Sequence, residues 1–218
     1  MNKLRLRYRK VDRAKYISHL DLMSTMRRAL LRAGIALKYS EGFNPHPFMS
    51  VALPLSVGLQ SECELMDIGV LEDVSLAELI GSVSECLPEG LDVLEVYIPG
   101  RKFNDIQWLQ ISGELRYDNE AEPDIIDRLK ERFNQESIVI QKKTKRGVSE
   151  INIAPYVRDV EIGCFEAVKF NAKISVKDPT LNPGNIMDAL SGEYQILAPD
   201  FASFTRLELF DSNMNVFR

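Results

Sequence analysis

The sequence predicts an α+β protein in two halves, each with the element order strand, helix, strand, strand, helix, strand. Three observations support this prediction. Several short segments alternate apolar and polar residues, which is typical of half-buried strands. Other segments repeat apolar residues at spacings of three and four, which is typical of helices packed on one face. The two kinds of segment recur in the same order before and after a Pro-Gly linker at residues 99–102.

The first half begins with a strand at residues 3–11, in which Leu4, Leu6 and Tyr8 alternate with arginines. A helix follows from Ser18, with apolar residues at helical spacing, and Gly34 ends it. A second helix opens at Ser75, where a glutamate three residues later predicts a capping box. The remaining segments of this half are predicted to be extended: 35–39, 48–55, 62–71 and 91–98.

The second half repeats this order. One helix is predicted to start at Pro123, and a short helix at residues 186–190 is capped by Asn182 and Pro183. The strands are predicted at residues 108–117, 137–143, 149–162, 166–176 and 204–210, with a turn at 145–147. The order is that of the ferredoxin-like split βαβ fold. We therefore predict two tandem ferredoxin-like (βαββαβ) domains with antiparallel sheets, residues 1–99 and 104–218, the second with an extra strand.

Composition excludes several classes of protein. The 218 residues are 45% hydrophobic, so the chain can bury a substantial core. No run approaches the roughly 18 apolar residues of a membrane span, and no apolar signal region is visible, so we expect a cytoplasmic protein with no membrane partner. The three cysteines form no CxxC pair, which indicates neither a disulfide framework nor a zinc knuckle. No phosphate loop, dinucleotide fingerprint or iron–sulfur motif is present, and no cofactor is predicted.

Charge is unevenly distributed along the chain. The net charge is −5, yet residues 1–50 hold 11 lysines and arginines and three acids, a balance of +8. A basic segment on an acidic protein favours a localised anionic ligand, either RNA or a phosphate group. The candidate phosphate contacts are Arg5, Arg7 and Arg9 on the first strand and Arg27 and Arg28 on the first helix. The alternative interpretation is an ordinary solvated face, with the helix arginines favouring the helix C-terminus.

The first of the two histidines, His19, lies in the segment Tyr-Ile-Ser-His-Leu-Asp at residues 16–21. Ser18 and Asp21 are explained by a capping box, although both are also candidate ligand contacts. His19 falls at the first helical position, where the helix N-terminus disfavours a proton on the ring and offers free N–H groups to an anion. His19 is therefore a candidate general base or phosphate contact.

The second histidine, His46, lies between two prolines in the loop of residues 39–47. The prolines fix the backbone around the imidazole at low entropic cost, which favours a functional role for His46. Phe43 could stack on a base or fill the edge of a core. The remaining ligand-binding candidates in this loop are Ser40, Glu41 and Asn44. We expect the two histidines to contribute to one site. Together with Asp21 and Glu64, the two histidines would provide two imidazoles and two carboxylates for a metal ion. The spacing of these four residues in the sequence follows no metal-binding motif.

Three segments together carry a resemblance to a known family: YISHLDLM at residues 16–23, YSEGFNPHP at 39–47 and ALPLSVGL at 52–59. They resemble the radical-SAM-linked domain family, a bacterial domain of unknown function found beside, or fused to the C-terminus of, B12-binding radical SAM proteins. The likeness continues more loosely at residues 150–156, 181–183 and 205–209. The family pattern carries an acid at the position of Asn152 and an arginine near Ala154, where this chain differs. The resemblance implies a separate radical SAM partner and supplies no catalytic residues.

The predicted architecture is also similar to that of CRISPR repeat-processing endoribonucleases, in which a histidine near the first helix acts as general base on an RNA 2′-hydroxyl. The position of His19 fits that pattern, but the glycine-rich loop expected near the C-terminus is not evident. Three hypotheses follow. The first is an RNA- or phosphate-binding accessory to a radical SAM enzyme. The second is a metal-independent endoribonuclease that uses His19 or His46 as base. The third is a metal or small-molecule site at the same histidines.

Overall fold

A computed structural model of the chain describes residues 2–118, 124–144, 147–164 and 166–218. The chain divides into two units, which are Met1–Asp105 with Arg218 and Ile106–Phe217. Both units mix helices with strands that pair antiparallel. The predicted α+β class is therefore confirmed, together with the antiparallel pairing.

From residue 2 onward, the first unit has two α-helices and four strands. They are β1 (Asn2–Lys10), α1 (His19–Arg32), β2 (Met49–Val51), β3 (Gln60–Val70), α2 (Leu76–Ser84) and β4 (Leu91–Tyr97). Their pairing order is β4-β1-β3, and β2 pairs with β3 on its other side. All of these pairs are antiparallel.

The core of this unit forms where α1 and α2 cover the sheet. Because side chains alternate across a strand, Leu4, Leu6 and Tyr8 point to one face of β1, and all three are buried. The helix residues packed in the same core are Leu22, Met26, Ala29 and Leu30 of α1 and Leu79 and Val83 of α2. The spacing of three and four residues within α1 is the one that the sequence predicts.

Three local predictions in this unit need correction. Residues 35–39 do not form a strand; Leu37 makes a single bridge to Val70. The extended segment at 48–55 is a strand only over β2, because Leu53 adopts a positive φ of 46° and ends the pairing. Ser75 precedes α2 as predicted, but its side chain makes no capping hydrogen bond, so the predicted capping box is absent.

Over its described residues, the second unit contains two α-helices and six strands. They are β5 (Trp108–Arg116), α3 (Ile125–Phe133), β6 (Val139–Thr144), β7 (Gly147–Asn152), β8 (Val157–Cys164), β9 (Val168–Ser175), α4 (Pro183–Asp188) and β10 (Phe201–Phe210). The pairing order of its sheet is β10-β5-β9-β8, while β6 and β7 pair only with each other. Phe133 of α3 packs on Phe170 of β9 with ring centroids 4.9 Å apart.

The predicted strand at 149–162 is two strands, β7 and β8, separated by a 3-10 turn at Ala154–Tyr156. The Asn152 side chain stabilises this turn, since its oxygen accepts from the N–H groups of Ile138 at 2.8 Å and Ala154 at 3.1 Å. The predicted extra strand is therefore a two-stranded hairpin. The predicted helix start at Pro123 and turn residues 145–146 lie outside the described residues. The cap at Asn182 is confirmed, and its partner is Asn185.

Within the part of the chain that the structure describes, no helix is both long and apolar enough to cross a membrane.

Candidate functional site

The three arginines of β1 each stand opposite a carboxylate on a neighbouring strand. Arg5 is fully buried, and its Nε and Nη2 donate to the two carboxylate oxygens of Asp67 at 2.6 and 3.0 Å. The register of β1 and β3 places these two residues directly across from each other. The ring of Phe103 covers the guanidinium, with 4.3 Å between Arg5 Cζ and the ring centroid.

The other two arginines pair with β4. Arg7 donates to Glu95 at 3.0 Å and Arg9 to Asp92 at 2.7 Å, again between residues in register. Arg5 is a predicted phosphate contact, but its guanidinium has no exposed surface and already binds Asp67. The partners of these three guanidinium groups are the carboxylates of Asp67, Glu95 and Asp92 rather than phosphate.

The two arginines predicted on α1 lie in a different environment. Arg28 is exposed and Arg27 is half-buried. Neither forms an ion pair with any residue in the described ranges. Of the five predicted phosphate contacts, these two are the ones whose charge is not already neutralised by a carboxylate.

Helix α1 begins at His19 because Ser18 caps it. The Ser18 hydroxyl accepts from the backbone N–H of Asp21 at 3.2 Å and donates to the Asp21 carboxylate at 2.7 Å. The predicted capping role of both residues is confirmed. The His19 imidazole is exposed and has no hydrogen-bond or ion-pair partner among the described residues. A general base is normally oriented by a second group, and His19 lacks one here.

A buried lysine holds the segment that leads into α1. Lys10 is almost fully buried, and its Nζ donates to the carbonyl oxygens of Ile17 at 2.8 Å and Lys15 at 3.3 Å. Burial lowers the pKa of Lys10, and the buried Glu64 carboxylate partly opposes this effect. Gly58 also donates its N–H to Lys15 at 2.9 Å. Segments 16–23 and 52–59 therefore meet at this end of the sheet.

The sequence interpretation did not include Lys10, although a signal was present. Lys10 continues the alternation of Leu4, Leu6 and Tyr8, so a strand of this length places it on the buried face. A lysine at such a position needs polar partners inside the protein.

The loop around His46 is closed by reciprocal hydrogen bonds. Ser40 donates its N–H to the His46 carbonyl at 2.8 Å, and His46 donates its N–H to the Ser40 hydroxyl at 2.9 Å. Tyr39 forms a bridge to Pro47 just outside this contact. The closed loop displays four of the predicted ligand-binding side chains in exposed positions: Glu41, Phe43, Asn44 and His46. The Phe43 ring is fully exposed, at 111% of its reference area.

The structure does not bring the two histidines into one site. Residues 15–17, just before His19, are held by Lys10 at one end of β1. Phe48, just after His46, donates its N–H to the Lys38 carbonyl and accepts from the N–H of Gly69. Gly69 precedes Val70, which pairs with Asn2 at the other end of β1. Nine residues of strand span roughly 25 Å. The two motifs therefore lie near opposite ends of β1, and this placement does not favour one site shared by both histidines.

The metal hypothesis needed His19, Asp21, His46 and Glu64 together. Glu64 is fully buried, whereas both histidines are exposed. Over the described ranges, no group of three or more histidine, cysteine, aspartate or glutamate side chains is arranged to hold a metal ion.

An open cavity of about 300 Å³ lies beside the His46 loop. Its lining residues are Lys3, Pro47, Phe48, Met49, Ser50, Asp67, Ile68 and Gly69. Gly69 helps to form it, since a Cβ at this position would lie 3.0 Å from the Cβ of Phe48. Lys3, Asp67 and Gly69 alternate with core residues on their strands, so the cavity opens on the sheet face away from the helices.

Aromatic and cationic groups flank this cavity. The Phe48 side chain is 42% exposed, and the ammonium of Lys38 lies 5.7 Å from its ring centroid. Lys3 pairs with Asp67 at 2.7 Å while its side chain stays 48% exposed. Exposed rings beside positive charges can stack on a planar group and neutralise a nearby anion. The sequence interpretation missed Lys3, Lys38 and Phe48, although Phe48 follows the loop motif directly.

Residues 3–183 match the model of a protein family described as "Uncharacterized protein conserved in bacteria (DUF2344)". No curated protein matches the chain.

Proposed function

The chain belongs to this uncharacterised family of conserved bacterial proteins, and on that premise we propose that it is an RNA-binding accessory of a separate B12-binding radical SAM enzyme. RNA binding is supported mainly by two neighbouring features: a closed loop that exposes the Phe43 ring, and the cavity lined by Phe48. We name this surface, residues 40–48 with Lys3, Lys38 and Gly69, the loop-cavity surface.

Stacking supports single-stranded RNA as the ligand. Single-stranded RNA is bound mainly by aromatic side chains that stack on unpaired bases, because every base has a π-face. Phe43 is fully exposed on a loop whose ends are fixed, so little conformational entropy is lost when a base stacks on it. The cavity beside Phe48 has room for a second base, with Met49 and Pro47 as apolar walls.

Charge supports a phosphate backbone alongside these rings. The partly exposed Lys3 lines the cavity, and the ammonium of Lys38 lies over the Phe48 ring. His46 and Asn44 offer polar contacts on the loop. The predicted contribution of Arg5 is not retained, since Asp67 and Phe103 enclose its guanidinium.

The sheets of the two units support a duplicated ferredoxin-like architecture. In each unit the fourth strand of the βαββαβ series pairs with the first, the first with the third, and the third with the second. This is the order of the split βαβ fold once the β6–β7 hairpin is treated as an insertion. We infer a tandem ferredoxin-like protein, and four-stranded sheets of this kind are a common RNA-binding platform.

The radical SAM partner rests on the family resemblance of residues 16–23, 39–47 and 52–59. The first and third of these segments meet around Lys15, whereas the second forms the loop-cavity surface. We propose that the latter segment contacts RNA and that the partner enzyme acts on the same RNA or on a ribosome-associated substrate.

The test is salt-dependent binding of a fluorescent single-stranded oligoribonucleotide, followed by anisotropy. Phe43→Ala and Phe48→Ala should each weaken binding by about five- to 100-fold, since stacking contributes about 1–3 kcal/mol per base. The matched control is Phe201→Ala, because Phe201 is an exposed phenylalanine of the second unit. Absence of RNA binding at low salt, or equal losses in all three variants, would contradict the proposal.

A further inference from the structure

A second cavity in the first unit has a basic lining. It has a volume of about 350 Å³ and lies between α1 and the residues that follow α2. Its lining residues are Thr25, Arg28, Arg32, Cys86, Leu87 and Pro88. This cavity shares no lining residue with the loop-cavity surface.

The three α1 residues lie on one side of the helix. Thr25, Arg28 and Arg32 are separated by three and four residues, so their side chains project from the same face. A hydroxyl and two guanidinium groups therefore converge on one space. An Nη2–H group of Arg32 donates to the carbonyl oxygen of Cys86, which fixes the guanidinium at the cavity wall.

The positive charges of Arg28 and Arg32 are not neutralised by the other residues that line this cavity. No carboxylate lines it, and neither Arg28 nor Arg32 forms an ion pair with any residue of the described ranges. Glu85 and Glu89 flank the segment 86–88 but are not part of the lining. This differs from β1, where a carboxylate stands opposite each of the three arginines.

Anchoring of α1 explains only part of this arrangement. Arg32 lies in the last turn of α1 and binds the carbonyl of Cys86, just after α2, so it anchors α1 to this segment. Arg28 lies one turn earlier and has no carbonyl partner among the described residues. The anchoring role therefore leaves Arg28 and the cavity itself without an explanation.

We propose that this cavity binds a phosphate group through Arg28, Arg32 and Thr25. Guanidinium groups donate paired hydrogen bonds that match the oxygens of a phosphate, and a hydroxyl can donate a third. The phosphate can come from a small phosphorylated compound or from the backbone of an RNA. The proposal does not rest on RNA binding at the loop-cavity surface and stands if that surface binds no RNA.

Cys86 supplies a local reporter for the test. It is half-buried and lines the cavity, whereas Cys164 is exposed in the second unit and Cys63 is buried. Iodoacetamide is uncharged and reacts with an accessible thiolate, so a bound anion changes the alkylation rate by acting on the thiol and not by repelling the reagent. The rates at Cys86 and Cys164 are measured by peptide mass spectrometry with and without inorganic pyrophosphate at matched ionic strength.

Pyrophosphate should slow alkylation at Cys86 and leave the rate at Cys164 unchanged. Arg28→Gln should raise the pyrophosphate concentration needed for half-protection by about tenfold, since a charge-assisted hydrogen bond is lost. Arg13→Gln is the matched control, because Arg13 is an exposed arginine of the first unit that does not line the cavity. Circular dichroism checks that both variants are folded.

A second arm uses an oligoribonucleotide of ten nucleotides and the Phe43→Ala protein, in which RNA binding at the loop-cavity surface should be weakened. Protection of Cys86 by pyrophosphate supports a small phosphorylated ligand, and protection by the oligonucleotide alone supports an RNA backbone. Protection by neither compound, or equal protection in the Arg28→Gln and Arg13→Gln variants, overturns the proposal. Loss of RNA binding by Phe43→Ala with Cys86 protection intact separates this site from the proposed function.

Discussion

Arg5 of β1 and Asp67 of β3 form a buried ion pair with two hydrogen bonds, at 2.6 and 3.0 Å. Lys3 adds a third contact to the same carboxylate at 2.7 Å, and Arg5 also donates to the carbonyl of Arg101 at 3.0 Å. Two charges inside a protein are tolerated when each has partners, and removal of one partner leaves the other uncompensated. This pair therefore makes Arg5 a structural residue.

Asp67→Asn should lower the free energy of unfolding by about 3–5 kcal/mol, because the buried guanidinium of Arg5 loses its counter-charge. Urea denaturation followed by circular dichroism measures this. The control is Asp92→Asn, which removes the partner of the exposed Arg9 and should cost far less, because solvent screens this pair. Equal costs for the two variants would contradict a structural role for the buried pair.

Lys10→Met should destabilise the first unit by about 2–4 kcal/mol, because the carbonyl groups of Lys15 and Ile17 lose their shared donor. The segment before α1 should then exchange its amide hydrogens faster, as measured by hydrogen exchange with mass spectrometry. Lys102→Met, at an exposed position of the same unit, is the control. Unchanged protection of residues 15–19 in Lys10→Met would show that Gly58 alone holds this segment.

Much of the fold could be predicted because local patterns fix it. The spacing of Leu22, Met26 and Leu30 and the cap at Ser18 define α1 almost to the residue. The alternation in β1 likewise identifies its buried face. The break between β7 and β8 was less visible, because the turn around Pro155 depends on a side-chain contact of Asn152 rather than on periodicity.

The candidate site was less predictable because it depends on contacts between distant residues. The partner of Arg5 lies 62 residues away, and only the register of β1 and β3 places it there. The alternating arginines therefore predicted contacts with phosphate groups. In the structure, carboxylates on the neighbouring strands neutralise these arginines instead. The separation of His19 from His46 depends on the length and direction of α1, and the cavity at Phe48 depends on the missing side chain of Gly69.

Tyr117 provides a prediction at alkaline pH. Burial raises the pKa of Tyr117 to about 12, with a further contribution from the Asp200 carboxylate, and the hydroxyl donates to the Leu197 carbonyl at 2.9 Å. Below pH about 10 the hydroxyl is protonated in both the folded and unfolded states, so its stabilisation is complete. As the pH rises from about 10 to about 12, the unfolded chain ionises first, and the free energy of unfolding falls.

Urea denaturation across this pH range should show a smaller alkaline loss in Tyr117→Phe than in the natural protein. Tyr16→Phe, which alters an exposed tyrosine of the first unit, should follow the natural protein. If the free energy of unfolding falls equally with pH in the natural protein and in Tyr117→Phe, the raised pKa of Tyr117 is not the cause of the alkaline loss.

Gly69→Ala tests the cavity at Phe48 directly. The added Cβ would lie 3.0 Å from the Cβ of Phe48 and 3.5 Å from that of Lys38, so the aromatic ring must shift. We expect a cost of about 1–3 kcal/mol in unfolding free energy and about tenfold weaker RNA binding, since the ring and the cavity are displaced together. Gly81→Ala is the control, because no atom lies within 4 Å of its added Cβ and alanine favours the helix. An unchanged RNA affinity in folded Gly69→Ala protein would exclude the cavity from binding, so that Phe43 and the loop would have to account for it alone.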